Sequence, residues 1–414
     1  MLLLARELSC CQTSQMPEVP LTTATPRLHH LDLLRAVLMM LGIPYHASFP
    51  FSGAAWLVTS PNVNLFFLFF NEFLHTWRMP AFFIIAGYFA MSVVKRKGTY
   101  PWMRGRLKRL GIPLLFGLFA INVVQSAIVA ATATGSVATE PGPPENFSPW
   151  ISHLWFLVEL LLYCLVFAAV RRWTGAQSYW RVLAERADQI WRSPVSSVVA
   201  ALVFAVLVGG FAWLWDVAKL GAVSHGVLSG AVPYYAPFFV MGLVIAALPG
   251  GIGRLSARPS VLIAGLGAAA FLVSFLSRRL ADPSPVRAFV IDSSAALAAL
   301  CISRLLFAIA NRVLAKKSRM VSWLVDAALP VYLIHHPIVL VLSLAAVALS
   351  IPAYPAFVLV VAITTVAALL FYEFANWCPP LRYATTGTWV KGTSIFAPGR
   401  HDARPVRNSP VARP

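Results

Sequence analysis

Hydrophobic residues occur along this chain in long, uninterrupted runs that are separated by short polar segments. Ten of these runs approach or exceed the length of about 20 apolar residues that a helix needs to cross a bilayer. They lie at 30–50, 64–94, 110–131, 150–170, 196–215, 232–249, 259–277, 288–309, 326–349 and 355–377. The runs do not alternate with polar positions, which argues against an outer-membrane barrel. The pattern predicts an all-α, polytopic integral membrane protein with about ten transmembrane helices.

Composition agrees with this prediction and excludes other classes of protein. Of the 414 residues, 59% are hydrophobic and 12% are charged, whereas a soluble domain is about a quarter charged. A soluble enzyme, a disordered protein and a fibrous protein are therefore excluded. The net charge of +18 does not indicate a nucleic-acid partner, because the basic residues collect in the loops on one side of the membrane.

The distribution of Lys and Arg predicts the orientation of the chain. The loops 51–63, 132–149 and 350–354 contain neither residue. The loops that follow the second, fourth, sixth and eighth helices are basic, and they include Lys95, Arg104, Arg171, Arg254 and Lys316. Cytoplasmic loops carry such an excess of positive charge, so both termini are predicted to be cytoplasmic.

The same patterning divides the chain into one membrane domain and two tails. Residues 27–378 form the membrane domain, and residues 1–26 and 379–414 are predicted to be disordered cytoplasmic tails. The five cysteines show no ligand spacing, and no histidine motif matches a zinc site, so we predict no bound metal. The long second helix is expected to tilt or bend near Pro80.

Ionisable residues inside apolar helices are costly and often mark a functional site. In the first helix, Arg35 and His46 are eleven residues apart and return to within roughly 20° of one face. Asp32 lies one turn before Arg35, which favours an ion pair. In the second helix, Glu72, His75 and Arg78 follow at three-residue spacing. This second series is equally compatible with a salt-bridge network that joins helices and with a catalytic site.

Further ionisable residues occur in the fourth and ninth helices. His153 opens the fourth helix next to Trp155, so it is either solvated at the interface or part of a site, and the deeper Glu159 needs a partner. His335 and His336 lie within the ninth helix, where we expect one ring to face a site while the other packs. The residues as a set suit general-base activation of a hydroxyl, and they would also suit a proton-coupled transporter.

The second cytoplasmic loop ends in the basic sequence Arg106-Leu107-Lys108-Arg109. An anchor that obeys the positive-inside rule explains this charge by itself. The alternative is a phosphate-binding patch, because guanidinium groups match phosphate geometry.

These motifs together resemble the membrane acyltransferase family 3. Arg35 and His46 match the family's arginine, ten residues, histidine signature, and Arg106 to Arg109 matches its paired-arginine motif. The resemblance is strongest to the glucan biosynthesis branch, whose members succinylate osmoregulated periplasmic glucans. The segments that carry it are Asp32–Ala36, Leu41–His46, Phe70–Met79, Phe82–Phe89, Ile151–Leu157 and Tyr332–Pro337.

The resemblance implies a ten-helix, multi-pass protein of the bacterial inner membrane. It implies transfer of a succinyl group from succinyl-CoA, or of another acyl group from its CoA ester, with no tightly bound cofactor. The donor would bind on the cytoplasmic side and the glucan acceptor on the periplasmic side. Membrane lipid surrounds such a protein, nucleic acid is not a partner, and association with the glucan synthesis machinery is compatible with this role.

Joining the resemblance to the residues predicts roles in catalysis. Arg106 and Arg109 bind the anionic donor, and His46 takes the proton from the sugar hydroxyl. Arg35, oriented by Asp32, holds donor charge or the developing oxyanion. An acyl-histidine intermediate is a second route. The rival functions are an O-acetyltransferase of another surface polysaccharide and a glycan or acyl-donor transporter without chemistry.

Overall fold

A computed structural model of the chain describes residues 28–133, 151–173, 177–192, 194–218, 231–248, 250–257, 261–280, 284–313 and 318–396. Within these ranges the regular secondary structure is helical, and they contain no strand. The predicted N-terminal tail, residues 1–26, lies outside the described residues. The fold is therefore all-α, as predicted.

The helices follow one another along the chain with short connections. In order they are α1 His29–Met40, α2 Gly42–Ser48, α3 Leu65–Lys97, α4 Thr99–Arg106, α5 Ile112–Phe116, α6 Asn122–Ala133, α7 Trp155–Trp173, α8 Gln177–Arg192, α9 Pro194–Val217, α10 Ala231–Ala247, α11 Gly251–Leu255, α12 Val261–Ser277, α13 Pro285–Val313, α14 Arg319–Ala348, α15 Ala353–Trp377 and α16 Pro379–Thr386. Two π-helical turns, Leu107–Gly111 and Gly117–Ile121, join α4, α5 and α6 into one continuous rod.

Seven helices in the described part of the chain are long and apolar enough to cross a membrane. They are Leu65–Lys97, Thr99–Ala131, Ser152–Trp173, Val195–Trp215, Pro285–Val313, Arg319–Ala348 and Ala353–Trp377. Two further apolar helices, α10 and α12, are shorter, and the first predicted span is divided into α1 and α2 at Leu41. The described part of each of the ten predicted apolar runs is thus mainly helical, and the chain is a polytopic membrane protein.

The long helix α3 lies at the centre of the bundle and is the most buried of the seven. It continues as a helix through Pro80. Its main partner is α10, and glycine permits the two backbones to touch. A Cβ atom at Gly87 would overlap the carbonyl group of Phe239, and one at Gly242 would overlap that of Ile84. The backbones of α3 and α10 therefore approach closely at Gly87 and Gly242.

Contacts between helix ends show that the bundle has two distinct faces. On one face, which we call the basic face, Lys95 at the end of α3 donates a hydrogen bond to the carbonyl of Ala246 at the end of α10 (2.9 Å). On the opposite face, Arg279 after α12 donates to Glu72 near the start of α3 (2.9 Å). This arrangement follows the alternation of basic and non-basic loops along the sequence.

The structure corrects the prediction that the chain is disordered from residue 379 onward. Residues 379–396 are described, begin with α16 and pack on the basic face. Their low hydrophobicity is typical of a solvated tail, but polar side chains and backbone groups hold this segment through hydrogen bonds. The remainder of the predicted tail, residues 397–414, lies outside the described residues.

The structure also contains a helix that was not predicted, α8, in a region that the predicted topology treats as a loop. Its sequence places charged residues among apolar ones, so the helix is amphipathic rather than continuously apolar. Trp180 is buried, and its ring lies 5.9 Å from that of Phe167 in α7. This composition is typical of a helix that lies along a membrane surface.

Candidate active site

Four histidines from three separate segments meet inside the bundle. His46 comes from α2, His153 from the turn before α7, and His335 and His336 from α14. The ring of His46 lies 4.6 Å from His336 and 5.4 Å from His335, measured between centroids. His153 stacks on His336 at 4.8 Å. We call these four residues the histidine cluster.

In two members of the cluster, a backbone carbonyl group determines which ring nitrogen carries the proton. His335 Nδ1 lies 2.7 Å from the carbonyl oxygen of Tyr332, and His153 Nε2 lies 3.2 Å from that of Leu333. A carbonyl oxygen only accepts, so each of these nitrogens carries a proton. The other ring nitrogen of each is buried without a hydrogen-bond partner among the described residues. In the neutral ring that second nitrogen is an acceptor.

A side-chain amide holds the third histidine. Gln125 Oε1 lies 2.7 Å from His336 Nδ1, and Gln125 Nε2 donates to Ser152 Oγ at 2.7 Å. This chain of contacts joins α6, the turn before α7 and α14. It makes His336 Nδ1 the donor and leaves its Nε2 as an acceptor.

His46 differs from the other three because part of its ring remains accessible. His153, His335 and His336 are each exposed by 4% or less, whereas His46 is half-buried. Its Nδ1 is buried and has no hydrogen-bond partner within the described ranges. A group that must meet a substrate needs this access, so His46 is the member best placed to act as a base.

The segment between α2 and α3 covers the cluster on the face opposite the basic face. Trp56 stacks on Phe49 at 5.6 Å and meets the edge of His336 at 5.9 Å. Backbone hydrogen bonds fold the segment back on itself, from Ser60 to Pro50 and from Asn64 to Phe51. An acceptor that approaches from this face would meet aromatic side chains first.

Arg78 is a buried cation beside the cluster. Its side chain is 6% exposed, and its guanidinium lies over the ring of Tyr45 at 4.6 Å. A Cβ atom at Gly42 would lie 3.1 Å from both Arg78 Nη1 and His335 Nε2. Gly42 therefore provides the space in which these two groups converge. Among the described residues, no carboxylate forms an ion pair with Arg78.

The predicted pair of the first helix is present, and it lies away from the cluster. Arg35 Nη2 is 3.7 Å from Asp32 Oδ1, and its guanidinium lies 5.7 Å from the ring of Phe89. The turn at Leu41 separates α1 from α2, so Arg35 and His46 belong to two different helices. The structure therefore makes Arg78, rather than Arg35, the cation next to His46.

The other residues of the second-helix series take their partners from elsewhere in the fold. Glu72 forms an ion pair with Arg279 at 2.9 Å and with Arg278 at 3.9 Å. His75 is exposed, and its Nδ1 lies 3.1 Å from the hydroxyl of Tyr45. Of the three, Arg78 alone lies at the cluster, while Glu72 joins α3 to the end of α12.

The structure decides between the two alternatives for His153, and it contradicts the expectation that only one histidine of helix nine faces a site. His153 is not solvated at the interface but buried, because the turn before α7 folds inward against α14. His335 and His336 both face the cluster, since His46 and His153 approach α14 from different directions. Glu159 is buried as expected, and the hydroxyl of Tyr163 lies 3.5 Å from its carboxylate.

The basic motif at the start of the third predicted span lies in and beside the first π-helical turn. Arg106 is half-buried and lies near Cys164 of α7, whereas Arg109 is exposed. In the described residues, no group of three or more His, Cys, Asp or Glu could hold a metal ion.

Several residues that shape the site are not among those predicted from the sequence. Gln125, Tyr45, Tyr332 and Trp56 all contact the cluster or Arg78. Gln125 had a usable signal, because it is a polar side chain in an apolar run. The aromatic residues had none, since such side chains are common in membrane helices.

Comparison with known proteins identifies the family. Residues 28–373 match the acyltransferase domain of the acyltransferase 3 family. The glucans biosynthesis protein C of an Escherichia coli strain is 30% identical over 329 residues, which covers 76% of this chain and 82% of that protein. The protein of that name from Salmonella paratyphi B is 28% identical over 332 residues, covering 76% and 83%. No solved structure matches. The chain belongs to the acyltransferase 3 family of membrane proteins.

Proposed function

We propose that this protein transfers a succinyl group from succinyl-CoA in the cytoplasm to glucose hydroxyls of periplasmic glucans. The observation that carries the proposal is the buried histidine cluster, with the half-buried His46 beside Arg78. The names of the relatives support glucan as the acceptor. The succinyl group is inferred from the resemblance of the sequence motifs.

The proposed reaction is a direct acyl transfer. His46 removes the proton from the sugar hydroxyl while its oxygen attacks the thioester carbonyl carbon. Arg78 stabilises the negative charge that develops on the carbonyl oxygen, which is worth most where water is excluded. The carbon–sulfur bond then breaks, and the coenzyme thiolate takes the proton from His46. The products are the succinyl ester and free coenzyme A.

A glucan analysis tests the proposed function. Glucans from cells that lack the gene should lose their succinyl groups, and mass spectrometry should show the groups restored by the wild-type gene. Purified protein in lipid vesicles should transfer succinyl from succinyl-CoA to added glucan without any other enzyme. Loss of acetyl rather than succinyl groups would indicate an O-acetyltransferase. Failure of the purified protein to transfer any acyl group would support a transporter.

The proposed orientation puts the basic face in the cytoplasm. A cytoplasmic reporter fused after Phe396, which preserves α16 and the residues that follow it, should therefore be active. A reporter that works only in the periplasm should be inactive at this position and active when inserted in the loop 51–63. The reverse pattern would overturn the orientation.

Arg106 and Arg109 are proposed to bind the phosphates of the donor. Alanine at either position should raise the KM for succinyl-CoA, because loss of a charge-assisted hydrogen bond costs about 1.5–3 kcal/mol, or about ten- to a hundredfold in affinity. Alanine at Arg312, a basic residue of the same face in α13, serves as the control. If the amount of inserted protein falls while the KM is unchanged, the motif is a membrane anchor.

A further inference from the structure

The segment 379–396, which we call the C-terminal strap, is fastened to the basic face at its far end. Asp326 in α14 accepts hydrogen bonds from the backbone N–H (2.8 Å) and the hydroxyl (2.9 Å) of Thr393. Glu373 in α15 accepts from the hydroxyl of Ser394 (2.6 Å) and the N–H of Ile395 (3.0 Å). Two carboxylates thus bind four donors of the strap, and charge-assisted bonds of this kind are strong.

The middle of the strap is held by a buried arginine and an asparagine. Arg382 is 7% exposed and donates to the carbonyl groups of Asn376 and Trp389, each at 2.8 Å. The side chain of Asn376 exchanges two hydrogen bonds with the backbone of Gly392, at 3.0 and 3.1 Å. The strap therefore has a defined path across the basic face.

At its near end the strap contacts the donor motif directly. Gly387 ends α16 with φ of 66°, and a Cβ atom there would overlap the carbonyl group of Lys108 and lie 2.8 Å from Arg109 Cα. This contact is with the backbone of the π-helical turn Leu107–Gly111. Turns of this type are irregular insertions in α-helices and often occur at functional sites. A backbone contact from another segment of the chain can therefore influence the geometry of such a turn.

We propose that the C-terminal strap is a positioning element for the acyl donor, and that Gly387 sets the π-helical turn that presents Lys108 and Arg109. The donor's identity as an anionic acyl-CoA rests on the proposed function. The strap touches no reacting atom in this proposal, so it affects donor affinity rather than the chemical step. Its action depends on the latch at Asp326 and Glu373, which holds the strap against the bundle.

The chain offers a matched pair of glycines for the test. Gly387→Ala places a methyl group against the turn, whereas Gly250→Ala introduces a similar backbone strain, since Gly250 has φ of 64° and nothing within 4 Å of its Cβ position. We expect Gly387→Ala to raise the KM for succinyl-CoA about tenfold, the equivalent of about 1.4 kcal/mol, with kcat within about twofold. Gly250→Ala should leave both constants near wild type. Equal KM values in the two variants would overturn the proposal.

Loosening the latch provides a second variant, and hydrogen exchange provides a readout that needs no activity. Asp326→Ala should also raise the KM for succinyl-CoA. In the double variant with Gly387→Ala, the further rise in KM should be smaller than the rise that Asp326→Ala causes alone. Amides of residues 107–111 should exchange faster in both single variants than in Gly250→Ala. Faster exchange with an unchanged KM, or unchanged exchange, would contradict the positioning role. If wild-type protein does not use acyl-CoA, the proposed function and the donor role fail together, while exchange still decides whether the strap holds the turn.

Discussion

Glutamine in place of His46 should leave the protein folded and able to bind its donor, while acyl transfer falls by about a hundredfold or more. A histidine is neutral for much of the time near pH 7 and can accept a proton, whereas the glutamine amide cannot serve as a base. The two side chains are similar in size, and both can hydrogen-bond. The kcat of the purified variant, measured with donor and acceptor at saturation, provides the test.

The control for this substitution must be a histidine outside the cluster. His335 and His336 are unsuitable, because both rings lie against that of His46. His30 in α1 is buried and belongs to the same predicted span, so His30→Gln shows the effect of losing a packed histidine. If His46→Gln is less stable but transfers at a near-normal rate per folded molecule, His46 is a packing residue and not the base.

Replacing Arg78 with glutamine should lower kcat by roughly a hundred- to a thousandfold, which is the typical cost of losing one oxyanion donor. The KM for the donor should change little, because the charge on the carbonyl oxygen develops only in the transition state. Arg78→Lys keeps a cation near the ring of Tyr45 and should restore part of the rate. Single-turnover transfer in lipid vesicles measures this step.

Arg35 provides the comparison that decides which arginine acts at the reacting carbonyl. It lies in α1 beside Asp32 and Phe89, away from the cluster, so Arg35→Gln should leave kcat nearly unchanged. A rise in the KM for the donor would give Arg35 the alternative predicted role, which is to hold the charge of the donor. A kcat loss in Arg35→Gln as large as that in Arg78→Gln would return the oxyanion role to the first helix. Loss of folded protein in Arg78→Gln, with normal kcat in the remainder, would make Arg78 structural.

The sequence predicted the membrane class and the pattern of helices well. Apolar runs of this length have few other stable arrangements, because every backbone N–H and C=O in the bilayer must be paired within a helix or a closed barrel. The ionisable residues inside the runs were conspicuous for the same reason, since each is costly in lipid. His46, His153, His335, His336 and Arg78 could therefore be selected as candidates without a structure.

Their assembly into one site could not be predicted in this way. Helical periodicity relates residues of one helix, so it grouped His46 with Arg35, and it placed Arg78 in a series with His75 and Glu72. In the structure, Arg78 and His335 instead converge at the Cβ position of Gly42, and Glu72 forms an ion pair with Arg279. These pairings join residues from different helices, and they depend on which helices pack together and at what depth.

What the sequence by itself determined is the set of membrane helices, the family and the costly polar residues, because hydrophobic length and local spacing carry that information. The tertiary structure alone decided which arginine accompanies His46 and that residues 379–396 pack on the bundle. The strap shows the reason most clearly. The composition of its polar residues is that of a solvated tail. They pack on the bundle because Asp326, Glu373 and Asn376 of α14 and α15 form hydrogen bonds with them, and local sequence patterns do not reveal these partners.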